Sequence, residues 1–188
     1  MYLDISNAFL GQLHNVVYNG DIVNVKGTET KENLFASFTI EHPWDRVMMI
    51  KGRNDNIFAK IAETLWVLAG RNDMDFLSYY LPRAPQWSDD GETWRAGYGP
   101  RLRRWEAIHQ IDKERFGASF ANKTVDQLKE VVNHLKENKG TRQAIISIWD
   151  PAQDWVESKD IPCNNWLHFI ERRGKLPLDR DWETTSFN

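Results

Sequence analysis

The chain has 188 residues, of which 41% are hydrophobic and 27% are charged, and its formal net charge is −3. This balance is typical of a globular protein and excludes a disordered chain or a general nucleic-acid coat protein, so no nucleic-acid partner is expected. No run approaches the ~18 consecutive apolar residues that cross a membrane. The single cysteine excludes an internal disulfide and a multi-thiolate zinc site, and it fits a reduced, cytoplasmic compartment.

Hydrophobic periodicity predicts two helices in the first part of the chain, with extended segments between them. In order, the predicted elements are a helix over 3–18 that Asn19-Gly20 ends, a loop or edge strand over 22–31, an extended stretch over 34–50 and a helix over 56–69. The helix over 56–69 is apolar on both sides, which is typical of a buried helix. We therefore expect Glu63, on that helix, to be a carboxylate in apolar surroundings.

The rest of the chain predicts a mixture of short helices and strands. The elements are a helix over 73–81 that Pro82 ends, a loop over 82–101, a helix over 124–138 with Thr124 and Gln127 as a capping box, a buried strand over 142–149, and two strands within 166–178 joined by a turn at Arg173-Gly174. A loop as long as 82–101 is often functional. Together the elements predict one α+β domain.

Cys163 is the first candidate for chemistry, because it lies between two predicted strands and follows Pro162, which fixes the backbone. A lone cysteine is more often an inert buried residue than a nucleophile, and the residues alone leave both interpretations open. A nucleophilic cysteine is a thiolate and needs positive charge nearby. The candidate cations are Arg142, Arg101, Arg103 and Arg104.

Glu63 and Tyr98 are further candidates. Burial raises the pKa of a carboxyl group, which suits Glu63 for proton transfer near neutrality, although a buried carboxylate can also simply bind backbone amides or an arginine. Tyr98 has a glycine on each side and a basic run after it, a pattern that suits a phosphate or a solvated basic turn. Asp89-Asp90-Gly91 predicts a turn, and the histidines show no metal-ligand spacing, so no metal site is predicted.

Seven segments then stand in a fixed order along the chain. They are 62–73 (AETLWVLAGRND), 87–91 (WSDDG), 97–103 (GYGPRLR), 126–128 (DQL), 141–144 (TRQA), 148–151 (IWDP) and 160–164 (DIPCN). As an ordered set they resemble the thymidylate synthases and the related pyrimidine nucleotide hydroxymethylases, and the likeness runs from about residue 20 to about residue 178. The first two segments are most similar to phage-type or hydroxymethylase-like members.

The resemblance implies a mixed sheet packed with helices in a single domain over 1–188, incomplete at its C-terminal end relative to the family, with 179–188 as an unmatched tail. It implies transfer of a one-carbon unit from the cosubstrate 5,10-methylenetetrahydrofolate to C5 of a pyrimidine nucleotide, dUMP to dTMP, by a homodimer that needs no metal. Two alternatives stay open. One is a hydroxymethylase acting on dUMP, dCMP or CMP; the other is a catalytically incomplete member that only binds nucleotide or dimerises.

The resemblance also implies catalytic roles for three residues. Cys163 would add to C6 of the pyrimidine ring and make C5 a nucleophile. Glu63 would act through water on the pyrimidine carbonyl and the folate. Tyr98 would help to remove the C5 proton.

Five more residues receive binding roles from the same resemblance. Arg142 would hold the nucleotide phosphate across the dimer interface, and Asn164 would contact the substrate. Lys26 stands about where the family has a phosphate-binding arginine, and it would bind as a point charge rather than as a fork. Trp87 would pack on the folate ring, and Asp160 would belong to the folate site.

Overall fold

A computed structural model describes residues 1–25, 27–45, 47–53, 55–112, 119–176 and 178–182, with side chains described outside 108–121 and 177–182. Internal contacts divide the chain into two compact units, formed mainly by residues 1–57 and by residues 58–181. The prediction of a single domain over 1–188 stays a prediction. Residues 183–188 of the unmatched tail lie outside the described residues.

The described elements confirm the α+β class. The helices are α1 (Ile5–Asn19), α2 (Ile57–Leu68), α3 (Met74–Tyr80), α4 (Tyr98–Arg103), α5 (Gln127–Glu137) and α6 (Pro151–Asp154), with a 3-10 turn at Ala84–Trp87. The strands are β1 (Asp21–Val25), β2 (Thr28–Glu32), β3 (Trp105–Asp112), β4 (Ser119–Val125), β5 (Ala144–Ser147), β6 (Asn164–Phe169) and β7 (Leu178–Trp182). Strands β1 and β2 form one antiparallel pair, β3 and β4 a second, and the third sheet has the order β5-β6-β7 with β5 and β6 antiparallel.

Local signals correctly predict the first helix. The Asp4 carboxylate accepts a hydrogen bond from the Asn7 backbone N–H at 2.8 Å and so caps the start of α1. The Gly20 N–H donates to the Val16 carbonyl at 2.9 Å and ends it. The predicted edge strand is the β1–β2 hairpin. The stretch over 34–50, predicted as extended, contains no strand among its described residues, and only Ile40 pairs there, in a single bridge with Tyr2.

Helix α2 buries one side only, so the prediction that it is buried on both sides is wrong. Ala59, Ala62 and Trp66 are buried, whereas an apolar row on the other side is exposed: Phe58, Ile61, Leu65 and Leu68. Small alanines let the helix approach its neighbours closely around the Trp66 ring. Periodicity marks both faces as apolar, but it cannot tell which of them contacts the rest of the chain.

The helix α5 starts later than predicted because Thr124 is already committed to strand β4, where it pairs with Glu106. Asp126 is the cap instead, and its carboxylate accepts from the Lys129 N–H at 3.0 Å. The predicted capping box is therefore wrong. Gln127 has a different role, since its side chain binds the Arg101 carbonyl and both backbone groups of Ser147 and so joins α4, α5 and β5.

Two further predictions are corrected in the larger unit. Residues 82–101 are not a continuous loop, because α4 begins at Tyr98 and Pro100 lies in its first turn, where proline is tolerated. Strand β5 is not buried throughout: Ala144 and Ile146 face the core with Leu102 and Val131, while the alternate residues are exposed.

Within the described residues, no helix combines the length and apolar composition needed to cross a membrane.

The two leucines Leu65 and Leu77 provide a matched test of this packing. Leu77→Ala removes a fully buried side chain and should lower the free energy of unfolding by ~2–5 kcal/mol. Leu65 is 59% exposed, so Leu65→Ala should change that free energy by less than ~1 kcal/mol. Urea denaturation followed by tryptophan fluorescence measures both values, and equal losses would contradict the exposed face of α2.

Candidate active site

One cavity within the larger unit brings together segments that are far apart in sequence. It is lined by Glu63, Trp66 and Val67 of α2, by residues 94 and 96–98, and by residues 160–163. Its volume is about 130 Å³, close to the ~150 Å³ of a protein cavity that accepts one benzene molecule. The cavity therefore has room for a single six-membered ring.

Helix α2 supplies one of the carboxyl groups of the cavity, that of Glu63. The Trp66 indole N–H donates to the Asp73 carbonyl at 2.9 Å and fixes the end of the helix, and Glu63 lies one turn earlier. Burial raises the pKa of the Glu63 carboxyl, as the sequence predicted. The side chain is nevertheless exposed, so this carboxyl group is not the buried carboxylate that the sequence predicts, and it can exchange protons with water.

Glycines place Tyr98 against the end of α2. A Cβ at Gly99 would overlap the backbone of Arg71, so only glycine lets α4 pack this closely. The Tyr98 phenol oxygen accepts a hydrogen bond from the Asn164 side-chain amide at 2.8 Å. Burial raises the pKa of the phenol, and the hydrogen bond from Asn164 opposes that shift.

Cys163 lines the cavity and stands between buried Pro162 and the start of β6. Its side chain is exposed, which contradicts the interpretation of an inert buried thiol. A substrate ring in the cavity could therefore reach the sulfur.

The arginines proposed to stabilise the thiolate are mostly committed elsewhere. The Arg101 guanidinium binds both carboxylate oxygens of Asp154. Arg103 pairs with Asp126 at 3.2 Å, and Arg104 donates to the Gly70 carbonyl. The interpretations of this basic run as a phosphate site or a solvated turn are therefore wrong for Arg101, which is 7% exposed.

Arg95, which sequence reasoning missed, ties the segment before Cys163 to the segment before Tyr98. Its guanidinium donates to the Asp160 carbonyl at 2.9 Å, to Ser158 Oγ at 3.1 Å and to Asp154 Oδ1 at 3.3 Å. The Asp160 carboxylate in turn accepts from the Ala96 N–H at 2.8 Å. The only signal in the sequence is that Arg95 stands close before the glycine-flanked tyrosine, separated from Gly97 by Ala96.

Trp94 was also missed, although it lines the cavity. Its ring centroid lies 6.2 Å from that of Trp66, and the two indoles form much of the apolar wall. Neither the spacing nor the hydrophobic periodicity of the sequence links Trp94 to Trp66.

The predicted turn at Asp89-Asp90-Gly91 is confirmed, and it has a structural use. Asp90 accepts from the backbone N–H groups of Glu92 and Thr93, and these bonds hold the pKa of its carboxyl well below the usual range. Asp89 accepts from Ser158 Oγ at 2.6 Å and from the Lys159 N–H at 2.9 Å. Among the described residues, no cluster of His, Cys, Asp and Glu could hold a metal ion.

Two predicted binding residues do not line the cavity, and a third lies outside the described residues. Trp87 ends the 3-10 turn and is 54% exposed, and it does not line the cavity. Arg142 is exposed just before β5, and its carbonyl accepts from His168 at 3.0 Å. Lys26 lies outside the described residues.

Residues 7–181 match the family described as thymidylate synthase, and the chain belongs to that family. The fold class and the family resemblance predicted from the sequence are thereby confirmed.

Phage enzymes are among the relatives. The chain is similar to a deoxyuridylate hydroxymethyltransferase of Bacillus phage SP01, with 36% identity over 100% of this chain and 48% of that protein. A deoxyuridylate hydroxymethyltransferase of Delftia phage PhiW-14 is 35% identical over 75% of this chain and 37% of that protein. The chain therefore spans less than half the length of these curated relatives.

Breaking the buried pair of Arg101 and Asp154 by removing one partner should strongly destabilise the larger unit. Burial by itself raises the pKa of Asp154. The hydrogen bonds from Arg101 and from the Asp150 N–H lower this pKa by more than burial raises it, so the net shift is downward. Arg101→Met leaves a buried carboxylate without its bidentate partner, and we expect a loss of ~3–5 kcal/mol in urea denaturation. The double variant Arg101→Met, Asp154→Leu should recover part of that loss.

The pH dependence of the same variant follows from the sign of the shift. A lowered folded pKa gives a stabilising contribution that is present above the ordinary value of 3.8 and is lost as the pH falls through the folded pKa. The difference between wild type and Arg101→Met should therefore narrow in acid. A constant difference would show that the pair does not carry the stability.

Proposed function

We propose that the chain carries the nucleophile site of a deoxyuridylate hydroxymethyltransferase, which transfers a one-carbon unit from methylenetetrahydrofolate to C5 of dUMP. The observation that carries the proposal is one ring-sized cavity lined by Cys163, Tyr98 and Glu63. The phage relatives are deoxyuridylate hydroxymethyltransferases, which favours hydroxymethylation over methylation to dTMP.

Cys163 begins the proposed reaction. Its thiolate adds to C6 of the pyrimidine, so that an S–C6 bond forms and the C5=C6 π pair moves to the C4 carbonyl oxygen. This makes C5 a nucleophile. At the end the S–C6 bond breaks, its electron pair returns to the sulfur, the C5=C6 bond forms again and the thiolate is released.

Tyr98 and Glu63 handle protons between those two steps. The bound folate supplies the one-carbon unit. The Tyr98 oxygen, held beside Cys163 by Asn164, takes the C5 proton. The Glu63 carboxyl, with its raised pKa, takes a proton from the water whose oxygen becomes the hydroxyl of the product.

The residues fit a folate in part. The exposed Trp87 ring offers a flat apolar face on which a pterin can pack. Asp160 lines the cavity, but one of its carboxylate oxygens already binds the Ala96 N–H, which leaves the other oxygen for the cosubstrate.

A homodimer fits the exposed side of the β5–β6 pair. Ile145 is exposed and pairs with His168 across the two strands, and Arg142 lies just before β5 on this edge. A second copy covering this side would bring the guanidinium of Arg142 to its neighbour's nucleotide. The phosphate role of Lys26 belongs to the same proposal.

The product decides the reaction. We expect the chain, incubated with methylenetetrahydrofolate, to convert dUMP to hydroxymethyl-dUMP, which mass spectrometry separates from dTMP. Parallel reactions with dCMP and CMP test the choice of base and sugar, and Cys163→Ser should abolish the product while leaving the unfolding temperature nearly unchanged.

Each other outcome has a definite meaning. Formation of dTMP would replace hydroxymethylation by methylation. No turnover of any nucleotide, together with no nucleotide-induced rise in unfolding temperature, would favour the incomplete member that acts only as a binding or dimerisation module. Full activity of Cys163→Ser would refute the nucleophile assignment.

Glu63→Gln tests the proton-transfer role. General acid–base catalysis contributes ~10²–10⁴-fold, so turnover should fall by that factor while dUMP affinity changes little. Equal losses in turnover and affinity would point to a binding role.

A stability measurement on Glu63→Gln provides the control. A raised folded pKa means that stability is greatest below the ordinary value of 4.5 and is lost as the pH rises through the folded pKa. Glu63→Gln should therefore unfold at a higher temperature than wild type at about pH 7 and at a similar temperature at about pH 4.

A further inference from the structure

The Tyr98 phenol oxygen is held by the residue that follows the nucleophile. The Asn164 side-chain N–H donates to it at 2.8 Å. The backbone N–H groups of Asn164 and Cys163 also lower the pKa of the phenol. The Asn164 side-chain oxygen is buried and has no hydrogen-bond partner among the described residues. A buried polar atom left without a partner is unfavourable, so the position of this amide needs a reason.

Donation by Asn164 has a chemical consequence for Tyr98. A phenol oxygen that accepts from amide N–H groups is better able to carry a negative charge, because those donors bind the phenolate more strongly than the phenol. Asn164 therefore keeps the oxygen in place and offsets part of the effect of burial on Tyr98.

The charges around Tyr98 have the opposite effect and disfavour its phenolate form. The titratable groups that line the cavity with it are Glu63, Asp160 and Cys163, all of them acids, and no Lys, Arg or His is among the lining residues. On the helix that carries Tyr98, Arg101 is bound to Asp154 and Arg103 pairs with Asp126. Arg95, which precedes this helix, is bound to Asp154 and to the Asp160 carbonyl. A thiolate at Cys163 therefore disfavours a phenolate at Tyr98.

We propose that Cys163, Asn164 and Tyr98 form one coupled unit, in which Asn164 is a positioning residue for the phenol and the charge on the sulfur controls whether Tyr98 can release its proton. The use of this unit rests on the proposed function. When the S–C6 bond forms, the sulfur becomes a neutral thioether and its repulsion of the phenolate ends. Tyr98 then gives its proton to water at the cavity opening, and its oxygen accepts the C5 proton while the C5–H electron pair stays on the ring.

The single cysteine allows the coupling to be measured without turnover. Iodoacetamide caps Cys163 with a neutral group and iodoacetate caps it with an anionic group of similar size. NMR of protein labelled at the tyrosine ζ carbon, with Tyr98→Phe to assign the signal, gives the pKa of Tyr98 in both forms. We expect the neutral cap to lower this pKa by about 1 unit or more relative to the anionic cap. The same pKa in both forms would overturn the coupling.

A second pair of variants tests the positioning role. Asn164→Leu removes the donor and should raise the pKa of Tyr98, while the neighbouring variant Asn165→Leu should leave it unchanged. A fall in the pKa of Tyr98 in Asn164→Leu would mean that the phenol donates to the amide oxygen, which would overturn the role proposed for Asn164. An equal rise in both variants would reduce the role to general packing and would also overturn it.

These readouts separate the coupled unit from the proposed function. Caps that shift Tyr98 as expected, in a protein that forms no hydroxymethyl product, would keep the unit and reject the reaction. Product formation with identical Tyr98 titrations in both capped forms would keep the reaction and reject the unit.

Discussion

The larger unit depends on one buried ion pair. The Arg101 guanidinium donates to both carboxylate oxygens of Asp154 and to the Ile148 carbonyl, and both residues are almost fully buried. A buried charge is tolerated only when its partner and its hydrogen bonds are in place. The pair therefore forces α4 to lie against the end of β5 and the end of α6, and this fixes where the chain can go next.

What the chain reaches next is the nucleophile. From Asp154 the segment runs to Cys163, and it is bound along the way by Arg95, by the Asp89 carboxylate and by the N–H of Ala96. All three partners belong to the stretch that leads into Tyr98. The two catalytic candidates thus lie close together because polar side chains join the segments that precede them, while the apolar walls of the cavity supply its shape.

The success of the sequence predictions follows the range of the interactions. Helix α1 ends at Gly20 and α3 ends before Pro82, because turn and cap residues act within a few positions. The cap of α5 was misplaced because β4 takes Thr124 by pairing it with Glu106 of the preceding strand, β3. Neither strand was predicted.

The candidate site divides in the same way. Cys163, Glu63 and Tyr98 stand in recognisable motifs, and the structure brings all three to one cavity. Arg95 stands in no recognisable motif. Its contacts form only when residues 153–160 fold back against it, so the sequence alone does not indicate its importance. The orientation of α2 could not be predicted from the sequence either, because both of its faces are apolar and only the fold decides which one contacts the core.

The charges of the cavity separate the chemistry of the ring from the binding of the phosphate. A cavity of about 130 Å³ holds one ring, and its titratable lining consists of acids. A neutral pyrimidine can enter such a site, whereas a phosphate dianion is repelled by it. Under the proposed function the phosphate therefore lies outside the cavity, where an exposed cation such as Arg142 can meet it. Because the described residues that line the cavity include no cation, nothing in that lining neutralises a thiolate at Cys163, and under the proposed coupling its charge disfavours the phenolate of Tyr98.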